Sequence, residues 1–219
     1  MFGQPTIVNN VETLANVPVI LAGGADAYRK LGVDSDPGTR LFSLSGDVKA
    51  PGVYELEHGS ATLWEFIEEL GGGTPGGEAI KAVQPGGGTS ALVGPDGLEC
   101  LLTTEAIREA GSNIGTGGVI VYGEKWSGVE IAARLLDYYG DESCGRCLPC
   151  RIGTTKLREI VTRLLEGQGV PDDVSRLREI GRVCTSATLC GFGQTVSVPV
   201  LSALELFPDD FAARIPAEH

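Results

Sequence analysis

Three of the six cysteines in this 219-residue chain fall within one short run, Cys144-Gly145-Arg146-Cys147-Leu148-Pro149-Cys150. Thiolates at C-x2-C-x2-C spacing can be presented by one tight loop to three corners of a [4Fe–4S] cubane, and a cysteine from elsewhere in the chain takes the fourth. The surrounding residues suit that chemistry. Gly145 omits a side chain where the loop curls. Pro149 and Cys150 stand where a helix begins, so free N–H groups favour thiolate charge. Arg146 and Arg151 can offset the negative charge of a cluster. The fourth ligand is then Cys184 or Cys190. Cys184 ends an apolar helical stripe and reads as a core thiol. Cys190 precedes Gly191-Phe192-Gly193, a loop able to approach a cluster closely, and is the better candidate; Cys100 lies in a β-like region.

Other uses of these thiols fit less well. Structural zinc sites pair one C-x2-C with a distant second pair, and here that second pair is missing. A catalytic cysteine would want a histidine, and the chain has only His58 and His219, neither in a supporting pattern. The glycine runs do not read as nucleotide loops. Gly71-Gly72-Gly73-Thr74-Pro75-Gly76 matches G-x-G-x-x-G, but it follows a helical stretch rather than a strand and contains a proline, so it reads as a helix stop and loop. Gly86-Gly87-Gly88-Thr89 lacks the lysine of a phosphate-binding loop and reads as a turn, with ligand contact left open. Gly115-Thr116-Gly117-Gly118 reads as a close backbone turn before a strand. Trp64 and Trp126 read as core or interface anchors, and the acidic run 65–69 as a solvated helix face.

Composition narrows the classes. The chain is 42% hydrophobic and 21% charged, ordinary for a globular protein. A formal net charge of −12 with no basic stripe argues against nucleic acid as a partner. No stretch reaches the roughly 20 apolar residues of a membrane helix, so no direct membrane insertion is expected. The first charged residue is Glu12 and no basic leader precedes it. The expected location is therefore cytoplasmic, where cysteines serve as metal ligands or buried thiols before disulfides.

The elements that must hold the cysteines can be read from periodicity. Residues 1–37 lack the pattern of an independent domain and carry a short helix-like stretch at 14–21. Residues 38–124 read as a small α+β domain. Residues 40–45 are a strand, Lys49-Ala50-Pro51-Gly52 a type II turn with Gly52 at positive φ, and 53–56 the returning strand. Thr62 and Glu65 frame a capping box, opening a helix that faces Leu63, Phe66, Ile67 and Leu70 to one side and stops at Gly71. Residues 81–83 and 97–102 are candidate strands, and 118–122 is a firm one. This fits a β-grasp-like sheet on one helix. Residues 125–219 turn helical, with faces Ile131, Leu135, Tyr138; then Leu157, Ile160, Val161, Leu164, Leu165; then Val174, Leu177, Ile180, Val183; and a last helix over 196–206. Four helices with short connections suggest a small bundle.

Several of these motifs also resemble a known family. Residues 142–154, Glu-Ser-Cys-Gly-Arg-Cys-Leu-Pro-Cys-Arg-Ile-Gly-Thr, resemble the cluster loop of the NADH-binding F-type subunit of respiratory complex I, a module shared with NAD-linked hydrogenases and formate dehydrogenases. Residues 188–195 with Pro199-Val200-Leu201 resemble the family's fourth-ligand segment, which implies Cys144, Cys147, Cys150 and Cys190 as the metal ligands. Residues 41–54 resemble its SLBB (soluble-ligand-binding β-grasp) domain. Residues 3–13 resemble the end of its FMN-binding domain, which implies that Asn9, Asn10 and Thr13 would lie beside the flavin. The fold implied is α+β: a remnant FMN-domain edge at 1–37, an SLBB-type β-grasp domain at 38–124 and a four-helix iron–sulfur domain at 125–219. The implied function is electron transfer from FMN through one [4Fe–4S] cluster to further iron–sulfur centres of an NADH dehydrogenase complex, peripheral to a membrane. The nucleotide-binding domain of that family is not in this sequence, so FMN and NAD(H) would require a flavin-bearing domain or subunit, and the chain alone would not oxidise NADH. A non-redox, subunit-binding module with structural zinc is the alternative.

Overall fold

The computed structural model describes residues 1–216; Ala217, Glu218 and His219, the end of the expected helical region, lie outside the described residues. The chain opens with α1 (Val11–Gly23), longer than the expected 14–21 and carrying Pro18 inside it. Asn10 caps it: its Oδ1 accepts from the N–H groups of Glu12 at 2.8 Å and Thr13 at 3.4 Å. No α1 residue is buried. The one-turn α2 (Ala25–Tyr28) and a small hairpin, β1 (Gly32–Val33) and β2 (Asp36–Pro37), lead into the main sheet.

That sheet contains β3 (Thr39–Gly46), β4 (Gly52–Glu57), β5 (Ile80–Gln84) and β6 (Gly118–Gly123), in the order β4-β3-β6-β5. β3 pairs antiparallel with β4, Phe42 opposite Tyr54, and parallel with β6, Ser43 opposite Gly118. Alternation sends Phe42 and Leu44 of β3 inward with Val119 and Val121 of β6. Against them packs α3 (Leu63–Glu65), which runs on as a π-helical turn (Phe66–Leu70). Both halves of the Thr62/Glu65 capping box are made. Leu63, Phe66 and Ile67 are buried, but Leu70 is exposed. The Gly71 N–H reaches the Phe66 carbonyl, an i→i+5 bond of 3.1 Å that widens the last turn and carries Leu70 off the apolar face.

Two local expectations give way to longer-range bonding. Gly52 is not among the glycines at positive φ and instead pairs with Leu44 as the first residue of β4. The left-handed turn is made by Gly46, and the connection after it is fastened by Lys49 N–H to Gly73 carbonyl and Ala50 N–H to Gly71 carbonyl. Residues 97–102 form no strand beyond an isolated bridge from Leu101 to Thr62; their Leu98 and Cys100 carbonyls accept from Trp64 and Leu63 at the start of α3. Gly86 and Gly115 do make close turns: a Cβ on Gly115 would lie 2.3 Å from the Gly86 carbonyl oxygen.

After the six-residue α4 (Thr104–Glu109), and beyond β6, the chain is helical: α5 (Gly128–Glu142), α6 (Leu148–Leu165), α7 (Asp173–Ala187), α8 (Gly191–Thr195), α9 (Val198–Leu206) and α10 (Pro208–Ala212). Ser127 and Glu130 cap α5 reciprocally. Its buried arc runs through Ala132, Leu135, Leu136 and Tyr139, so Tyr138, expected inside, falls just past the edge and is exposed. On α7 the buried positions are Asp173, Leu177, Gly181 and Cys184; Val183, one residue out of step, is exposed. The expected last helix, 196–206, is α9, preceded by the short α8, with Pro199 in the first turn of α9, where its missing N–H costs least. Lys81 of β5 and the Gly128 N–H of α5 both bond Asp210 of α10, at 2.6 and 2.7 Å, tying sheet to helices.

Candidate metal centre

The thiol-rich loop lies between α5 and α6 and faces the α7–α8 connection. Cys147 is the N-cap residue of α6, with extended backbone, and Cys190 occupies the same position on α8. Each therefore stands at a helix start, before N–H groups that lack intrahelical partners. Cys150 lies in the first turn of α6 and is buried. Cys147 is half-buried, while Cys144 and Cys190 are exposed. Gly145 adopts the left-handed backbone, φ 68°, that the curl of the loop requires. Arg151 Nη1 donates to the Gly145 carbonyl at 3.2 Å, bracing the loop and leaving a cation beside it.

The two segments meet through the backbone of the second. The Leu189 amide, aimed at the Cys147 sulfur, is the main influence holding that thiol below its ordinary pKa; the amides of Cys150 and Cys147 and the Cys150 thiol add to it, against the push of burial. Gly193 of α8 lies against the other side of the loop, with Thr188 alongside. Thr188 Oγ1 donates to the Cys184 carbonyl at 2.7 Å, and Gln194 Nε2 donates to the Thr188 carbonyl at 3.3 Å. Tyr139 of α5 pins α8 from behind: its hydroxyl donates to the Thr195 carbonyl at 3.0 Å and its ring meets Phe192 at 5.0 Å.

Cys184 is also close. Burial pushes its thiol up to about 11, and the neighbouring Cys150 and Cys147 sulfurs add to that shift. Its Sγ packs over Gly153 and points at the Pro149 carbonyl, 3.6 Å away. It is a fully buried thiol wedged between α6 and α7, whereas Cys190 sits on the exposed rim. Cys100 is half-buried in the sheet unit, and burial raises its thiol as well. Among the described residues no three His, Cys, Asp or Glu side chains converge on a single-ion position. The structure thus brings Cys147, Cys150 and Cys184 together and sets the segment bearing Cys190 beside them through Leu189 and Gly193, while the Cys144 and Cys190 side chains are exposed.

This donor set suits an iron–sulfur cluster. Soft thiols are supplied from two segments, amide donors face one of them, and Gly193 and Gly145 keep side chains out of the cradle. Periodicity gave no signal for the Leu189 amide or for Tyr139. The first is a backbone group; the second emerges only once the arc of α5 is known. Asn9, Asn10 and Thr13 are all exposed. The Asn10 carboxamide oxygen caps α1, and Asn10 and Thr13 line an open cavity with Tyr28, Arg40 and His58.

Comparison with known proteins finds two matching regions. Residues 130–214 match the NADH-ubiquinone oxidoreductase-F iron–sulfur binding region, and residues 40–121 match the SLBB domain. The HndC subunit of the NADP-reducing hydrogenase of Solidesulfovibrio fructosivorans is 39% identical over 212 residues, 97% of this chain and 43% of that one. The F-type subunit of the NADH-quinone oxidoreductase of Escherichia coli (strain K12) is 37% identical over 215 residues, 98% of this chain and 48% of that one. A solved structure of NAD+-reducing [NiFe]-hydrogenase in the H2-reduced state is similar with a TM-score of 0.86 and 31% identity, over 99% of this chain and 36% of that one. The chain spans about half the length of the curated relatives it matches.

Proposed function

Because the chain carries an SLBB domain followed by the NADH-ubiquinone oxidoreductase-F iron–sulfur binding region, we propose that it is the electron-transfer part of an NAD(P)H-linked oxidoreductase. In this reading Cys144, Cys147, Cys150 and Cys190 hold one [4Fe–4S] cluster. When bound, a cluster of this kind takes up and releases single electrons. The close approach of Gly193 to Cys150, whose Cβ a side chain on the glycine would meet at 3.1 Å, carries the reading, because it joins the three-cysteine loop to the segment bearing the fourth; the Leu189 amide faces Cys147 from that same segment. That amide, with the N–H groups at the start of α6, stabilises thiolate over thiol. Arg151 holds the loop and offsets its charge. Tyr139 and Gly193 fix how closely α8 approaches.

Hydride chemistry belongs in this proposal to a flavin-bearing domain or subunit that supplies FMN and the NAD(H) site, with Asn9, Asn10 and Thr13 at most its edge. Further iron–sulfur subunits receive the electrons. Residues 1–37, 38–124 and 125–219 are the units we assign to the flavin edge, the β-grasp domain and the cluster domain. No helix among the described residues is long and apolar enough to cross a membrane, and a peripheral place on a larger complex agrees with that.

The test is iron and acid-labile sulfide on anaerobically purified chain, with an EPR spectrum after reduction. About four of each per chain and a reduced-cluster signal are expected. Zinc without sulfide would overturn the proposal.

A further inference from the structure

Ser143 sits at the junction of α5 and the thiol loop. It is the C-cap residue of α5, and its N–H is bonded to the Tyr139 carbonyl at 3.1 Å, so its backbone cannot drift. Its Oγ stands 3.5 Å from the Cys150 sulfur. The same oxygen accepts the Gly145 N–H at 3.4 Å. An oxygen already accepting from an amide has its own proton to give. A cysteine that ligates a metal is a thiolate, which has no proton and can only accept. The direction of the bond follows: the serine hydroxyl donates and the Cys150 sulfur accepts.

We infer that Ser143 is a positioning residue that sets the reduction potential of the cluster through this hydrogen bond; the inference rests on the ligand set proposed above. Cys150 is 5% exposed, against the exposed Cys144 and Cys190. It is therefore the sulfur least shielded by water and most responsive to one protein donor. Reduction adds negative charge to the cluster and its sulfurs. A donated proton then binds the reduced form more strongly than the oxidised form, which raises the potential. Alongside, Ser143, Gly145, Arg151 and Thr154 line a cavity of about 210 Å³.

Because a water in that cavity could replace a lost hydroxyl, the clean contrast is between Ser143→Thr and Ser143→Val, which match in shape and differ in the hydroxyl. Each chain is loaded anaerobically, assayed for iron and sulfide, and titrated redox-potentiometrically by EPR. Ser143→Thr should titrate with the wild type. Ser143→Val should titrate lower, so that at the wild-type midpoint the reduced-to-oxidised ratio falls several-fold, up to about tenfold, or 59 mV for one electron. Ser143→Ala provides a second hydroxyl-free variant if the valine form does not assemble. A hydroxyl-free variant with full iron and sulfide and an unchanged midpoint overturns the inference. Loss of the cluster from both hydroxyl-free forms overturns it too, since the role is then structural. A wild-type chain that takes up no sulfide is a different failure, that of the cluster reading itself.

Discussion

Gly193 of α8 lies so near Cys150 of α6 that a Cβ on the glycine would stand 3.1 Å from the cysteine Cβ and 2.9 Å from that of Thr188. Both neighbours are the carbons nearest their own backbones and cannot swing aside. Gly193→Ala should push α8 outward, cost about 1–3 kcal/mol, and lower the iron bound per chain. Thermal melting and iron assay check this together; a variant unchanged in both would refute it.

The proposed ligand set makes an asymmetric prediction for the six cysteines. Cys190→Ser should abolish or severely perturb the cluster spectrum, as should serine at 144, 147 or 150. Cys184→Ser and Cys100→Ser should leave the spectrum nearly unchanged. Absorption and EPR of the reconstituted variants decide it, and a normal cluster in Cys190→Ser would remove that residue from the set.

Gly153 and Cys184 should be energetically coupled. A Cβ on Gly153 would meet Cys184 Sγ at 2.3 Å. Gly153→Ala alone should therefore destabilise by about 1–3 kcal/mol. Combined with Cys184→Ala, which removes the sulfur, the loss should be largely recovered, giving a coupling of about 1 kcal/mol or more in urea denaturation. Additive single and double effects would mean that α6 and α7 separate freely.

Acid should weaken the contact between sheet and helices. Burial pushes the Asp47 carboxyl up, but bonds from Lys125, the Gly123 amide and Trp126 together outweigh it and leave the pKa lowered. Asp210 is the same case: burial is outweighed by Lys81 and the Gly128 amide. A carboxyl whose pKa is lower in the folded chain stabilises fully above its unfolded value, about 3.9, and that stability is lost as pH falls through the folded value. Melting temperature should therefore drop on acidification below about pH 4. Asp47→Asn and Asp210→Asn should each melt lower near neutrality and show a shallower acid decline.

The cysteine spacing was legible because a cluster loop needs its ligands close in sequence, and strand β6 because Val119, Ile120, Val121 and Tyr122 form a β-branched and aromatic run, whereas β3 alternates only weakly. What could not be read depended on partners distant in sequence. Gly52 looks like a turn residue until Gly71 and Gly73 are seen to hold the preceding loop. Residues 97–102 look like a strand until their carbonyls are found serving α3. Leu70, Tyr138 and Val183 each lie one step outside a buried face whose centre is set by the neighbouring element, not by their own helix. Ser143 stood inside the quoted motif without a role, because its bond to Cys150 arises only when α5 ends where it does.

No residue of α1 is buried, and Ile7, Val8, Val11, Val19 and Leu21 are all exposed on or just before it. A 13-residue helix without a packed face is marginal on its own in water. What anchors it is slight: the Asn10 cap and the bond from the Leu41 N–H to Glu12 Oε1 at 2.8 Å. In deuterated buffer the amide protons of this helix should therefore exchange far ahead of those of α5 and α6. Whatever covers α1 would slow that clock, so its exchange rate can report, without any knowledge of the covering molecule, how much of the time the helix is engaged.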